Sequence, residues 1–327
     1  MDLSIVIVTW NSAKEIGACL RSVFACADGL ACEVFIVDNA SSDGTREVIE
    51  DASGFVIPSH QTRDLNVSNS APRFLASDKS TITARNDERA TGGLNIKTIW
   101  NDRNLGFAAA VNQGIEKSTG EYVLLLNPDT ELTPGCLQTM LQYLKSHSDV
   151  GVAGGKILNA DGTLQPSVRR FPTAWDQAAI LLKLHNFFPK IVAKYFCEGF
   201  DYDAEQAVDQ VRGAYFWISR KSIETIGPLD SKNFFIWFEE VDYCRRAQDA
   251  GFKVMYVPSS VAKHEGGASF GQEVPLVKQR WINKSMRRYF KKHGTALDSI
   301  VVAALSPLSL VLAGLVQRFK IKPKKYV

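Results

Sequence analysis

The chain has 327 residues, 45% of them hydrophobic and 22% charged, a balance that excludes a disordered or fibrous protein. That length buries a substantial core without disulfide staples, and six cysteines with no C-x-x-C pair offer no zinc-cluster spacing and suit a reducing, cytoplasmic compartment. The formal charge of +3 turns negative if Arg318, Lys320, Lys322, Lys324 and Lys325 are set aside, so the basic character lies at the C-terminus.

Leu3–Val8 is an apolar, β-branched run that reads as a first strand rather than a signal peptide. Ser12–Ala27 follows with Ile16, Leu20, Val23 and Phe24 at helical spacing. Val34–Val37 is a second strand ending at Asp38, and Asp43–Asp51 a short helix. Residues 53–95 break the rhythm with Ser, Thr, Asn, Asp and Arg, and read as a polar surface insertion, with a mobile lid as the alternative.

Alternation then resumes with a strand at Ile96–Trp100, a helix at Ala108–Lys117 and an apolar strand at Tyr122–Leu126. A helix opens at Pro134 and runs to about Ser146, and Val150–Ala153 is a further strand. This order predicts an α/β protein with a mostly parallel central sheet covered by helices. Beyond Lys156 the expected elements are a strand at Val211–Ser219, a helix at Glu239–Ala250, a strand at Lys253–Val257 and a long basic helix at Val274–His293. Ile300–Val316 carries no charge; it is short for a membrane span and contains Pro307. With the basic residues after it, it reads as a membrane-surface or re-entrant anchor that favours anionic headgroups, the alternative being a helix packed on the protein or on a second copy in a homo-oligomer.

Ligands of open parallel sheets sit beyond the carboxyl ends of the strands. Thr9, Asp38 and Asp129 follow three such ends, so Asp38 is a candidate acceptor for a base imide N–H and Asp129 for a hard cation. Each aspartate taken alone is as well explained as a turn or a cap. The first turn, Thr9-Trp10-Asn11-Ser12, has no glycine, which argues against a dinucleotide fingerprint. In Phe234–Arg246, five apolar residues run into Glu239, Glu240 and Asp242 at a helix start. Acids there are favoured by the helix dipole, but two adjacent glutamates beside an aromatic wall also suit general-base chemistry. His264 precedes a Gly pair after a strand, where a histidine can be structural or can touch a metal or phosphate.

These segments, Ser4–Asn11, Val37–Gly44, Asn104–Ala108, Asn112–Gly114, Leu125–Thr130, Gly213-Ala214 and Phe238–Asp242, resemble family 2 glycosyltransferases of the GT-A fold, in particular the rhamnosyltransferase-like branch, over residues 2–52 and 96–293. The resemblance implies a GT-A domain over 1–271 and a C-terminal helical extension over 272–327. It implies an inverting, metal-dependent sugar transferase that takes a dTDP- or UDP-sugar, such as dTDP-rhamnose, and glycosylates a lipid-linked or glycan acceptor at the cytoplasmic face of a membrane. Thr9, Asn11 and Asp38 would contact the nucleotide base or ribose, and Asn104, Gly106 and Asn127 would lie near the nucleotide and its phosphates. Asp129, with Asn127 in place of the first Asp of the family's D-x-D motif, and His264 would meet Mg2+ or Mn2+. Glu240 falls at the catalytic base position, usually an Asp, with Glu239 or Asp242 as alternatives. The other classes weighed are a non-catalytic nucleotide-sugar-binding module, a glycoside hydrolase and a nucleic-acid binder; no nucleic-acid partner is expected.

Overall fold

A computed structural model describes residues 1–54, 94–266 and 274–318. Most of the 53–95 insertion, and the lysines beyond Arg318, lie outside these residues. The chain begins β1 (Leu3–Thr9), α1 (Ile16–Ala27), β2 (Cys32–Asp38), α2 (Thr45–Gly54), β3 (Asn95–Trp100), α3 (Phe107–Lys117) and β4 (Tyr122–Leu126). β3, β2, β1 and β4 pair in parallel, in that order. β1, β2 and β4 are buried along their whole length, as strands covered on both faces must be. Alternate residues serve opposite layers: Ile5 and Ile7 meet Ile16, Leu20 and Val23 of α1, whereas Val6 and Val8 meet Ala108, Val111 and Ile115 of α3.

The second half of the sheet is mixed. β5 (Thr130–Leu132), α4 (Cys136–Ser146), β6 (Val150–Leu158), β7 (Leu164–Gln165), β8 (Val168–Arg169) and α5 (Ala174–Leu181) lead, through two short 3-10 turns, to β9 (Gln206–Ala207), β10 (Gln210–Val211) and β11 (Tyr215–Ser219). β11 lies antiparallel between β4 and β6. α6 (Arg220–Ile226), α7 (Glu239–Asp249) and β12 (Lys253–His264) follow, with β12 parallel to β6 and antiparallel to β5. A register shift between Val257 and Val261 carries β12 well past the end expected from the sequence, as far as His264.

The single strand expected over Val211–Ser219 is two. β10 pairs with β8 in a separate small sheet, and only Tyr215–Ser219 joins the main one. The break falls at Arg212-Gly213-Ala214, which line a cavity and so leave the ladder.

α8 (Pro275–His293) and α9 (Ala296–Arg318) close the described chain. Met286, Tyr289 and Phe290 of α8 and Val302 of α9 share an apolar cluster with Ala174 and Leu181 of α5 and with Phe234, Phe238 and Val241. Pro307 does not interrupt α9: the helix runs on through it, bracketed by hydrogen bonds from Asn283 Nδ2 to the Ser306 carbonyl (3.0 Å) and to Ser309 Oγ (2.8 Å).

Candidate active site

A cavity of about 500 Å³ opens at the carboxyl ends of the strands. Asn104, Gly106, Asn127, Asp129, Glu239, Glu240 and His264 all line it. Thr9, Asn11, Asp38 and Asp242 do not.

Asp129 and His264 are brought together by strand register. The turn Asn127–Thr130 is clamped on one side just ahead of β11, where the Asn127 amide donates to the Ala214 carbonyl (3.1 Å), and on the other by the Glu265 amide, which donates to the Asp129 carbonyl (3.0 Å). Antiparallel β5–β12 pairing sets His264 opposite Thr130, and its Nε2 stands 3.3 Å from Asp129 Oδ1. Both side chains are almost fully buried.

Gln165 fixes the imidazole. Its Nε2 donates to the His264 carbonyl (3.1 Å) and to Asn159 Oδ1 (2.8 Å), and its Oε1 accepts from Arg212. Arginine only donates, so that atom must be the amide oxygen, and His264 Nδ1, 2.7 Å from it, must carry a proton. In the neutral ring Nε2 is then the bare nitrogen and faces Asp129. One carboxylate and one imidazole nitrogen so oriented fit a divalent cation that takes its other ligands from a substrate. Among the described residues no group of three His, Cys, Asp or Glu converges that could bind one unaided.

The glutamates stand at the start of α7, after two consecutive left-handed residues, Trp237 (φ 59°) and Phe238 (φ 69°). Such non-glycine turns cost about 1–2 kcal/mol each, and burial of Phe234 and Phe238 in the α8–α9 cluster holds them. Glu239 Oε2 and Glu240 Oε2 are buried without a hydrogen-bond partner. Burial, then repulsion from Glu240 and Asp242, pushes Glu239 well above the ordinary glutamate range. Burial raises Glu240 as well, but backbone amides and the positive charges of Arg169 and Arg212 pull it back. Arg169 and Arg212 thus favour the charged form at Glu240.

Asp242 points elsewhere. Its side chain is fully buried and bound by Arg246 Nε (2.8 Å), Lys292 Nζ (2.7 Å) and His293 Nε2 (2.7 Å). Its reading as an alternative base is therefore corrected: it anchors α7 to α8. Thr9 and Asp38, expected at the nucleotide, sit side by side in the β1–β2 register, one layer behind the wall. Asp38 Oδ1 accepts from Thr9 Oγ1 (2.7 Å) and Ser41 Oγ (2.5 Å), and Oδ2 from the Ser41 amide (2.9 Å). Asn11 Oδ1 accepts from the Ser42 amide (2.8 Å). These three residues build the loops behind Trp10 and Asn39, which do line the cavity.

Asn39 was not singled out by sequence. It donates to Asn104 Oδ1 (2.9 Å) and accepts from the Leu105 amide (2.9 Å), pinning the loop before α3. There Gly106 has φ 89°, and a Cβ would lie 2.5 Å from the Phe235 carbonyl oxygen, so only glycine fits. Gln165, Arg169 and Arg212 were missed too. Arg212, whose guanidinium burial and the nearby Arg169 bring down to about 10, stands beside a glycine at the head of an apolar strand, which is the one signal that could have marked it. Gln165 has no signal of its own; only folding sets it beside His264. Trp10, Phe235 and Trp281 form an aromatic wall, with the Trp281 ring centroid 6.5 Å from Trp10 and 5.5 Å from Phe235.

Among proteins of known activity, the chain is 26% identical over 192 residues to an N-acetylglucosaminyl-diphospho-decaprenol L-rhamnosyltransferase of Mycobacterium tuberculosis, over 55% of this chain and 62% of that protein. The chain thus spans less than two thirds of that relative's length. Among solved structures, a mannosyltransferase of Pyrobaculum calidifontis in complex with GDP-Man and Mn2+ matches 98% of this chain and 76% of its own at 14% identity, with a TM-score of 0.53. GalNAc-T7 with UDP, GalNAc and Mn2+ matches 88% of this chain and 47% of its own at 14% identity, with a TM-score of 0.57. These likenesses are in fold, and the fold is GT-A. The model of glycosyl transferase family 2 matches residues 4–70 and 76–204, more than half the sequence, and the chain belongs to that family.

Proposed function

We propose that the chain is an inverting, metal-dependent transferase that moves a sugar, rhamnose from dTDP-rhamnose or a sugar from a UDP donor, onto a lipid-linked or glycan acceptor at a cytoplasmic membrane face. One observation carries the reading: a carboxylate–imidazole pair and two glutamates, each with a buried, unpartnered oxygen, face the same cavity. The mycobacterial relative, an L-rhamnosyltransferase with a decaprenol-linked acceptor, supports rhamnose as the sugar and a lipid-linked acceptor, and the Mn2+ of the solved relatives supports a metal.

Asp129 and His264 would hold Mg2+ or Mn2+, which when bound offsets the charge of the leaving diphosphate. Asn104 and Gly106 border the diphosphate, and Asn127 sits beside Asp129 in the same turn. Glu240 takes the proton of an acceptor hydroxyl. The acceptor oxygen then attacks the anomeric carbon opposite the departing oxygen, which leaves as nucleoside diphosphate, and the configuration inverts. Glu239, kept protonated, leaves Glu240 as the only anionic carboxylate of the pair.

The test is nucleotide release from a panel of dTDP-, UDP- and GDP-sugars with isolated membranes as acceptor. Release should require Mg2+ or Mn2+, favour dTDP-rhamnose and fall about 10²–10⁴-fold in Glu240→Gln. Hydrolysis of a preformed glycoside with no donor present would instead identify a hydrolase.

A further inference from the structure

Helix α9 is apolar on two sides. Val302, Ser306, Ser309 and Ala313 face the protein: Val302 enters the apolar cluster, with Val301 and Leu305 packed on it, and Ser306 and Ser309 are tied to Asn283 of α8. Its outer side carries Leu297, Ile300, Ala304, Leu308, Val311 and Leu315, all exposed and spaced three or four apart. No charge falls between Asp298 and Arg318. A surface helix in water turns its apolar stripe inward. Here a second stripe faces out.

A second element extends that face. α5 packs on α9, and α5 with the turns after it exposes Trp175 (74%), Phe187 (77%), Phe188 (65%) and Ile191. Between Asp176 and Glu198 the only full charges are Lys183, Lys190 and Lys194, and α8 carries lysines and arginines with no acid. The acids beside this face, Asp176 and Asp298, are each engaged in capping a helix start through Thr173 and Thr295, and the free charges around it are basic, which suits an anionic lipid surface. A second copy would bring like charges together.

We propose that the outer stripe of α9 and the Trp175–Ile191 segment form one membrane platform that lies in the headgroup plane rather than crossing the bilayer. The side of α9 that carries Val302, Ser306 and Ser309 stays on the protein, as an in-plane helix requires. Aromatic side chains at its edge match the membrane–water boundary. Resting on the acceptor reading above, the platform also explains how a lipid-linked acceptor is presented: the cluster beneath it includes Phe238 and Val241, which flank Glu239 and Glu240.

The test is flotation of the full chain with vesicles of phosphatidylcholine alone and mixed with phosphatidylglycerol. The wild type should float with the mixed vesicles. The doubly substituted Phe187→Ser, Phe188→Ser chain and, separately, Val311→Gln should each bind about tenfold less, from the lost apolar burial. Nucleotide release with a water-soluble acceptor should match the wild type in both. A blue shift of tryptophan emission on vesicle binding should shrink in Trp175→Phe. The platform is overturned if the double variant floats like the wild type. It is overturned equally if the wild type floats with neither vesicle, and a double variant that then turned a dimer into a monomer would assign the face to a second copy. A chain that binds vesicles but releases no nucleotide from any donor would refute the transferase reading and leave the platform standing.

Discussion

His264 and Arg212 both donate to one atom, Oε1 of Gln165, and neither could do so if the amide were turned over. A neutral side chain thus links the histidine beside Asp129 to the arginine beside Glu240. Gln165→Leu removes the acceptor that orients the ring. Mn2+ affinity, measured by the loss of the free-ion electron paramagnetic resonance signal, should fall about 10–100-fold while the fold persists. Unchanged affinity would mean that the imidazole is held by other contacts.

The two glutamates should respond unequally. Glu240→Gln removes the base, and turnover should drop about 10²–10⁴-fold with the nucleotide still bound. Glu239→Gln mimics a carboxyl that already keeps its proton, so turnover should stay within about tenfold of wild type. The reverse order of effects would transfer the base role to Glu239.

Arg212 lowers the Glu240 pKa against the effect of burial. Rate should climb with pH as Glu240 ionises, and in Arg212→Gln that rising limb should move to higher pH, because a cation favouring the carboxylate has gone. A pH–rate profile that drops in height without moving would show that Arg212 acts only on the substrate.

Asp242 is a matter of stability. Burial pushes its carboxyl up, but His293, Lys292 and Arg246 outweigh it and hold it below the ordinary value of 3.8. A lowered folded pKa contributes stability that is complete above 3.8 and is lost as pH falls from there through the folded value. Asp242→Asn should therefore destabilise the protein near neutrality, towards the low end of ~3–5 kcal/mol because Lys292 is partly exposed, and its denaturant midpoint should fall less steeply than wild type on acidification. A midpoint equal to wild type at pH 7 would contradict this.

Two glycines of the cavity make a controlled contrast. Gly106→Ala must fit a Cβ 2.5 Å from the Phe235 carbonyl oxygen at φ 89° and should cost more than about 1 kcal/mol, with weaker nucleotide binding as the Asn39–Asn104 contact shifts. At Gly213 the nearest atom is Glu240 Cγ at 3.8 Å, an ordinary contact, so Gly213→Ala should melt within about 0.5 kcal/mol of wild type. Equal melting of the two would argue against the Phe235 clash.

The parallel half of the sheet was legible because β1, β2 and β4 are continuous apolar runs separated by helical spacing. Asp129, Glu239, Glu240 and His264, which line one cavity, were also legible, as polar residues in the segments that follow strands or at a helix start. What sequence could not supply was direction. Asp242 is two residues from Glu240 in the same helical turn, and only the position of α8 decides that it faces Lys292 and His293. Thr9 and Asp38 follow strands as ligand-binding residues do, but the parallel register sets them against each other. Gln165 comes from a two-residue strand with no periodicity to read.

The antiparallel placement of β11 between β4 and β6 has a consequence for biosynthesis. As the chain leaves the ribosome, β4 and β6 are complete well before the strand that must lie between them, so each waits with a bare hydrogen-bonding edge. Such edges recruit other chains, and the non-local closure that covers them is slow. Yield in cells should thus depend on synthesis reaching Ser219, and fragments ending between β6 and β11 should aggregate.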